Sequence, residues 1–377
     1  MEIINKFYLI KNNIIMKKFN YFIIFCVFFC VFSTIFSSNT LFAEFERTSN
    51  LVEYSGEVKH VFTHCLLANP SLALSRNNPM SKDYARDCIT KDEFKSILHF
   101  LHKNNYVLIN PHDLYVVKNS SISRKKLFLP KGKKPLIFSF DDVNYDHKKM
   151  GKGMVDKLIL DKNGEIATQT QIGKKAYISN DNEFVPILNS FVNSHPDFSF
   201  NGAKGVLCLT GYDGILGYRT QSKNKINREK EVAECKKVVK KLKSDGWTFA
   251  CHSYGHYHMK KISVEKFKQE LDLWNNEVVP LIGKTDIYVY PYGEWEILDE
   301  GQKISEKHKL LVSDGFKLFC GVGVKSFISM FPRNVDKNDQ ILFMDRCPLD
   351  GYTLKNRGKD LSDLFPFEAV FDWQNRK

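Results

Sequence analysis

From about residue 57 onward, short apolar runs alternate repeatedly with stretches of helical periodicity, and no other feature constrains the fold as much. Val58–Thr63, Tyr106–Ile109, Pro135–Phe140, Gly205–Thr210, Trp247–Cys251, Ile287–Tyr290, Phe316–Cys320 and Ile341–Met344 each read as a strand. Pro135–Phe140 carries one polar side chain, Ser139, as expected of a strand covered on both faces. Between the strands lie helices with recognisable ends. Thr90-Lys-Asp-Glu93 is a capping box opening a helix of Phe94, Ile97, Leu98 and Leu101 that stops near Asn104. Phe184, Ile187, Leu188 and Phe191 mark a second helix, and Val232, Cys235, Val239 and Leu242 a third that Gly246 terminates. Ser263 caps a fourth, ending before Pro280, and a fifth passes through Leu310–Val312. Asn163-Gly164 predicts a hairpin turn between 158–160 and 165–167, within a polar insertion over 143–180. Seven or eight strands alternating with helices predict an α/β fold on a parallel sheet, and that number predicts closure into a barrel.

The first 43 residues stand outside this rhythm. Lys17 and Lys18 precede an almost wholly apolar run, Tyr21–Phe36, followed by a short polar stretch and Ala43. This is the layout of a secretory signal peptide, or of a membrane anchor if it is not cleaved, and it predicts a secreted or envelope-associated protein. The remainder, 44–377, reads as one catalytic domain without internal repeats. The chain has 55 Lys and Arg against 43 Asp and Glu, a formal charge of +12, with clusters at Arg124–Lys134 and Lys223–Lys243. No zinc-finger spacing or aromatic ladder accompanies them, so a nucleic-acid partner is not expected. A solvated helix face and attraction to an anionic cell envelope both fit. Of the nine cysteines, Cys65 and Cys88 flank a polar loop and could pair outside the cell, whereas Cys208, Cys251 and Cys320 sit in apolar runs as buried thiols.

The chemistry lies just past the strands. Val58–Thr63 runs into His64, Pro135–Phe140 into Asp141-Asp142, and Gly205–Thr210 into Gly211-Tyr212-Asp213. Trp247–Cys251 runs into His252-Ser-Tyr-Gly-His256, and Ile287–Tyr290 into Pro291-Tyr292-Gly293. Polar residues therefore gather at the carboxyl ends of parallel strands, where barrel enzymes place their sites. Two histidines four apart can present imidazoles to one ion if the turn between them is helical, and Asp142 would add a carboxylate. Such a set suits Zn²⁺ and also other first-row divalent ions. Asp141 could then take a proton from metal-bound water. Adjacent carboxylates on an extended segment diverge, so both need not bind the ion. A bare Asp-Asp is more often a turn, and a bare histidine pair more often packing; it is their joint placement at strand ends that favours a metal.

These segments also resemble a known family. Phe138-Ser-Phe-Asp-Asp142, His252-Ser-Tyr-Gly-His256 and Pro291-Tyr292-Gly293 look like the first three motifs of the polysaccharide deacetylases with a NodB homology domain. The lead-in from His64 to Leu108 is similar to the subgroup whose first strand ends in histidine, and the resemblance spans about 57–360. It implies a distorted (β/α) barrel and a metal-dependent hydrolase that removes N-acetyl groups from an amino-sugar polysaccharide by attack of metal-bound water. It implies Asp142, His252 and His256 as metal ligands, Asp141 as general base, and the Tyr292 backbone N–H as an oxyanion donor. Two positions depart from the pattern. The arginine that orients the base falls at Val289, and no late histidine supplies the acid. Arg219 could replace the first, and His64, Arg346 or Asp350 the second. If none does, the chain could be a glycan-binding or envelope-structural protein that kept its metal; a third reading is a metal amidase for a non-carbohydrate amide. Tyr145 and Trp295 could line a sugar-binding groove.

Overall fold

The structure is a computed structural model that describes residues 51–118, 121–297, 304–323, 328–330 and 341–376. The apolar run Tyr21–Phe36 lies outside the described residues, among which no helix is long and apolar enough to cross a membrane. The chain forms two compact units: Met1–Glu53 with Phe128–Lys131, and Tyr54–Leu127 with Gly132–Lys377. The strand residues described in the first come from the pair Leu51–Tyr54 and Leu127–Pro130. The second holds every candidate site residue.

The second unit is built on a ten-stranded sheet. Its strands are β1 (Lys59–Thr63), β2 (Tyr106–Leu108), β3 (Lys134–Phe140), β4 (Val206–Leu209), β5 (Thr248–Cys251), β6 (Ile287–Val289), β7 (Leu318–Cys320), β8 (Ile328–Met330), β9 (Leu342–Met344) and β10 (Cys347–Pro348). The order is β8-β9-β7-β6-β5-β4-β3-β1-β10, with β2 beside the start of β3. Only β8 runs antiparallel to its neighbour. The strand interiors are buried, which is why they read as unbroken apolar runs rather than as alternations.

The two margins of the parallel sheet are joined by the chain itself. β9 pairs with β7 on one side, β10 pairs with β1 on the other, and only Asp345 and Arg346 separate them. Arg346 therefore sits at the seam of a closing barrel, and its side chain is wholly buried. Outside the sheet pack α1 (Lys91–Lys103), α2 (Phe184–Ser194), α3 (Arg228–Ser244), α4 (Val264–Leu273) and α5 (Glu306–Asp314). Thr90 and Glu93 form the expected capping box, and Ser263 caps α4. Phe94, Phe138, Phe140, Phe184 and Trp247 knit α1 and α2 to β3, with Phe140 and Phe184 stacked at 3.9 Å.

Three local differences from the sequence reading have physical causes. The helix begun at Ser263 does not stop before Pro280. It widens into a π-helical turn, Trp274–Val278, and Pro280 enters the first turn of Val279–Ile282, where its missing N–H is tolerated. The hairpin at Asn163-Gly164 gains a third strand, Lys175–Ser179, paired to Ile166–Ile172. Cys65 and Cys88 are both free thiols, and the Cys65 Sγ faces the Asp142 carbonyl at 3.6 Å.

Candidate metal centre

His64, the aspartate pair, the His252–His256 loop and Tyr292 each follow a parallel strand, so the sheet collects them at one end. The Asp141 N–H donates to Thr63 O at 2.9 Å and the His252 N–H to Leu209 O at 2.8 Å, extending the ladders by one residue. The chain then turns sharply. Asp142 has φ 58°, Ser253 59°, His256 53° and Tyr292 58°. Left-handed non-glycine residues are costly, about 1–3 kcal/mol each, and such strain concentrates where a site needs an unusual backbone path. At Asp142 the turn parts the two adjacent carboxylates: Asp141 faces a buried arginine and Asp142 faces the histidines. The segment 252–256 is an irregular loop rather than the helical turn that the spacing suggested. Ser253 Oγ accepts the His256 N–H at 2.9 Å, and Glu270 accepts the Gly255 N–H at 2.6 Å. A Cβ at Gly255 would collide with Tyr257 and Glu270.

The loop brings His252 Nε2 and His256 Nε2 to 3.2 Å from each other. His252 Nδ1 lies 3.0 Å from Val289 O, which can only accept, so Nδ1 carries the proton and Nε2 presents its lone pair. Burial holds the His256 imidazole down at about 4, so it is neutral at ordinary pH. Asp142 Oδ1 lies 3.7 Å from His256 Nε2 and is buried without a hydrogen bond. One ligand atom from each of Asp142, His252 and His256 falls within 4.8 Å of the other two. Two imidazole nitrogens and an orphaned carboxylate oxygen directed at a common point fit a first-row divalent cation.

Asp141 is organised differently. Arg346 grips it with two hydrogen bonds, Nη1 to Oδ1 at 2.7 Å and Nη2 to Oδ2 at 2.9 Å. The guanidinium also donates to Ser139 Oγ at 3.2 Å and Gly321 O at 3.2 Å, and stacks over the Phe62 ring at 4.2 Å. Below it, His60 Nε2 lies 3.0 Å from the same Ser139 hydroxyl. Burial pushes the Asp141 carboxyl up, but the Arg346 charge outweighs it and holds the group well below the usual carboxylate range. Asp141 Oδ2 remains 3.8 Å from His252 Nε2, so this carboxylate borders the candidate ligand cluster.

The other residues named from the sequence take varied positions. His64 donates from Nδ1 to Asp87 O at 2.9 Å. Tyr292 lies flat on His258 at 3.8 Å and edge-on to His256 at 4.6 Å, with 55% of its surface exposed. Arg219 is elsewhere: it binds Asp213 Oδ2 at 2.9 Å, Asp213 O at 2.8 Å and Tyr145 O at 2.7 Å. Gly217, with φ 86°, turns the chain back so that Arg219 braces its own loop, and the guanidinium on Asp141 is that of Arg346. Asp350 caps the helix Gly351–Arg357. Tyr145 is buried rather than lining an open groove, whereas Trp295 is exposed beside Phe343. A second carboxylate–histidine group, Asp146, His147 and Asp213, is already supplied with donors by Arg219 and Tyr212. Two neighbours carry little sequence signal. Arg346 ends an apolar run but belongs to no motif, and Lys149, whose ammonium is favoured by Asp142, lies in the irregular segment.

Part of the chain is similar to known proteins. The polysaccharide deacetylase family profile matches residues 220–310, a span that contains His252, His256 and Tyr292 and stops short of the aspartate pair. The resemblance noted in the motifs is thus found again over that span. No curated protein matches significantly. Among solved structures, the chain is similar to the deacetylase PplD of Streptococcus pyogenes, solved in complex with acetate, at 13% identity and TM-score 0.44, covering 78% of this chain and 93% of that one. A polysaccharide deacetylase from Bacillus cereus gives 13% and 0.44, covering 82% and 69%. A de-N-acetylase from Aggregatibacter actinomycetemcomitans gives 13% and 0.42, covering 78% and 96%.

Proposed function

We propose that the chain is an exported, metal-dependent hydrolase that removes N-acetyl groups from an amino-sugar polysaccharide. The observation that carries this reading is the convergence of Asp142, His252 and His256 beside a carboxylate held by a buried arginine. Amide hydrolysis needs carbonyl polarisation, an activated water, a base and an acid. A divalent cation held by the three ligands supplies Lewis acidity for the carbonyl and acidifies water. Asp141 accepts the proton; Arg346 keeps it ionised and aimed while lowering its proton affinity. His64, with Nδ1 committed to Asp87 O, has Nε2 left to protonate the departing amine. The Tyr292 N–H, on a left-handed turn beside His256, is assigned to the developing oxyanion. The Arg346 grip favours turnover over an inactive binder, because it gives the base the guanidinium that motif three lacks. Export rests on the residue 17–43 layout alone.

The test is acetate release from N-acetylglucosamine oligomers and peptidoglycan by metal-loaded protein. Release that disappears in Asp141→Asn supports the reading. Glycan retention without acetate under Zn²⁺, Co²⁺, Mn²⁺ and Ni²⁺ would establish a binder, and cleavage confined to simple non-sugar amides would establish the amidase.

A further inference from the structure

The lysine-rich segment 223–243 takes no part in the chemistry above. Its first part is a loop whose tip is Ile226, 95% exposed. That exposure is built in. Asn224 Oδ1 accepts the Ile226 N–H at 3.2 Å, and Asn224 Nδ2 donates to Arg219 O at 2.7 Å and Asn227 Oδ1 at 3.0 Å. Arg228 Nε fixes the far side by donating to Thr220 O at 2.8 Å. Lys223 and Lys225 flank the tip, both exposed. In α3, Cys235, Val238, Val239 and Leu242 are buried, whereas Lys230, Lys236, Lys237, Lys240 and Lys243 are exposed. At ~100° per residue these five lysines fall within about 140° of the circumference, opposite the buried stripe. Lys237 pairs with Glu234 at 2.7 Å. Among the described residues, Lys223, Lys225, Lys230, Lys236, Lys240 and Lys243 make no ion pair.

We infer that this loop and helix face form a docking surface for an anionic phospholipid bilayer, with the lysines meeting headgroup phosphates and Ile226 entering the headgroup boundary. Six unpaired cations on adjoining elements lie within the range of about four to eight basic residues that bind anionic membranes. The apolar tip decides between a bilayer and a soluble polyanion. A soluble polymer of phosphates offers Ile226 nothing, whereas interfacial binding combines buried apolar area with electrostatic attraction. The surface would hold the enzyme against the envelope independently of how its N-terminal segment is processed.

Purified full-length protein is floated with vesicles of phosphatidylcholine alone or of phosphatidylglycerol and phosphatidylcholine. Attachment through the apolar run at 21–36 needs no lipid charge, but Lys17 and Lys18 beside it respond to one, so the lysine surface is read from the change in the vesicle difference between wild type and charge variants. The expected result is binding at least ~10-fold stronger to the anionic vesicles at low salt, lost near ~0.5 M salt. Joint substitution Lys223→Glu, Lys225→Glu, Lys236→Glu and Lys240→Glu should reduce that difference several-fold. If this set lowers the unfolding midpoint, Lys→Gln at the same positions should still reduce the difference. Ile226→Ser should weaken vesicle binding several-fold while leaving binding to inorganic polyphosphate unchanged. Equal binding to both vesicles, or undiminished binding by the charge variants, overturns the inference. Ile226→Ser binding anionic vesicles like wild type also overturns it, and would assign the surface to a soluble polyanion.

Discussion

At the residue scale, Arg346 and Asp141 depend on each other. Arg346→Lys keeps a charge but loses the planar two-point grip. Misplacing the base in this way is expected to lower kcat by about 10²-fold while bound metal stays at wild-type stoichiometry, which metal analysis and kinetics read separately. The weaker partner should also raise the Asp141 pKa, moving the acid limb of the rate profile to higher pH. His64→Gln should lower kcat by ~10²–10⁴-fold with metal content again unchanged; loss of metal instead would make His64 a ligand. The cluster of Asp142, His252 and His256 was legible as a candidate because Asp-Asp and His-x-x-x-His stand directly after apolar runs. Arg346 was hard to assign because a partner supplied from 205 residues away leaves no local spacing to read. Arg219 looked suitable only because it also follows a strand-end loop; the turn at Gly217 directs it to Asp213 instead.

At the element scale, helix starts and strand interiors were readable, since caps and uninterrupted burial are local consequences of sequence. Departures came where one element adapted to another, as in the π turn before Pro280. The N terminus of α2 carries a testable example of such adaptation. Glu183 is fully buried and accepts the backbone N–H groups of Leu66 and Phe184 at 3.2 and 2.8 Å, tying the β1 exit loop to the helix. Burial pushes its carboxyl up to about 8, although those two donors oppose the shift. The unfolded group ionises near its ordinary value of 4.5, so this contribution to stability is complete below that pH and is lost as pH rises through about 8. Urea unfolding between pH 5 and 9 should show stability falling with pH, and Glu183→Gln should flatten the slope. A slope unchanged by that substitution would show that Glu183 is ionised in the fold. In the aromatic cluster, Phe140→Ala should cost ~3–5 kcal/mol in the same assay, because Phe138, Phe184 and Trp247 cannot all close over the gap.

At the scale of the whole second unit, closure depends on the end of the chain. Beyond β10, Arg376 returns to α1 and grips the buried Glu93 from Nε at 2.7 Å and Nη2 at 2.8 Å, while also donating to Ala85 O and Cys88 O. Arg376→Met would leave a buried carboxylate without its cation, and is expected to destabilise the fold by about 3–5 kcal/mol in calorimetry or denaturant titration. An alternation of strands and helices announces a barrel, yet it cannot say which strands meet. β10 is two residues long, too short to show a pattern, and its pairing with β1 decides the closure.

The seam between β9 and β10 also sets an order of maturation. A chain still being translated possesses both aspartates and both imidazoles long before it possesses residue 346. Until the final strands arrive, such a precursor lacks the guanidinium that clasps Asp141. Premature termination upstream of the seam therefore removes the guanidinium from Asp141 together with β10 and the Arg376 grip on Glu93.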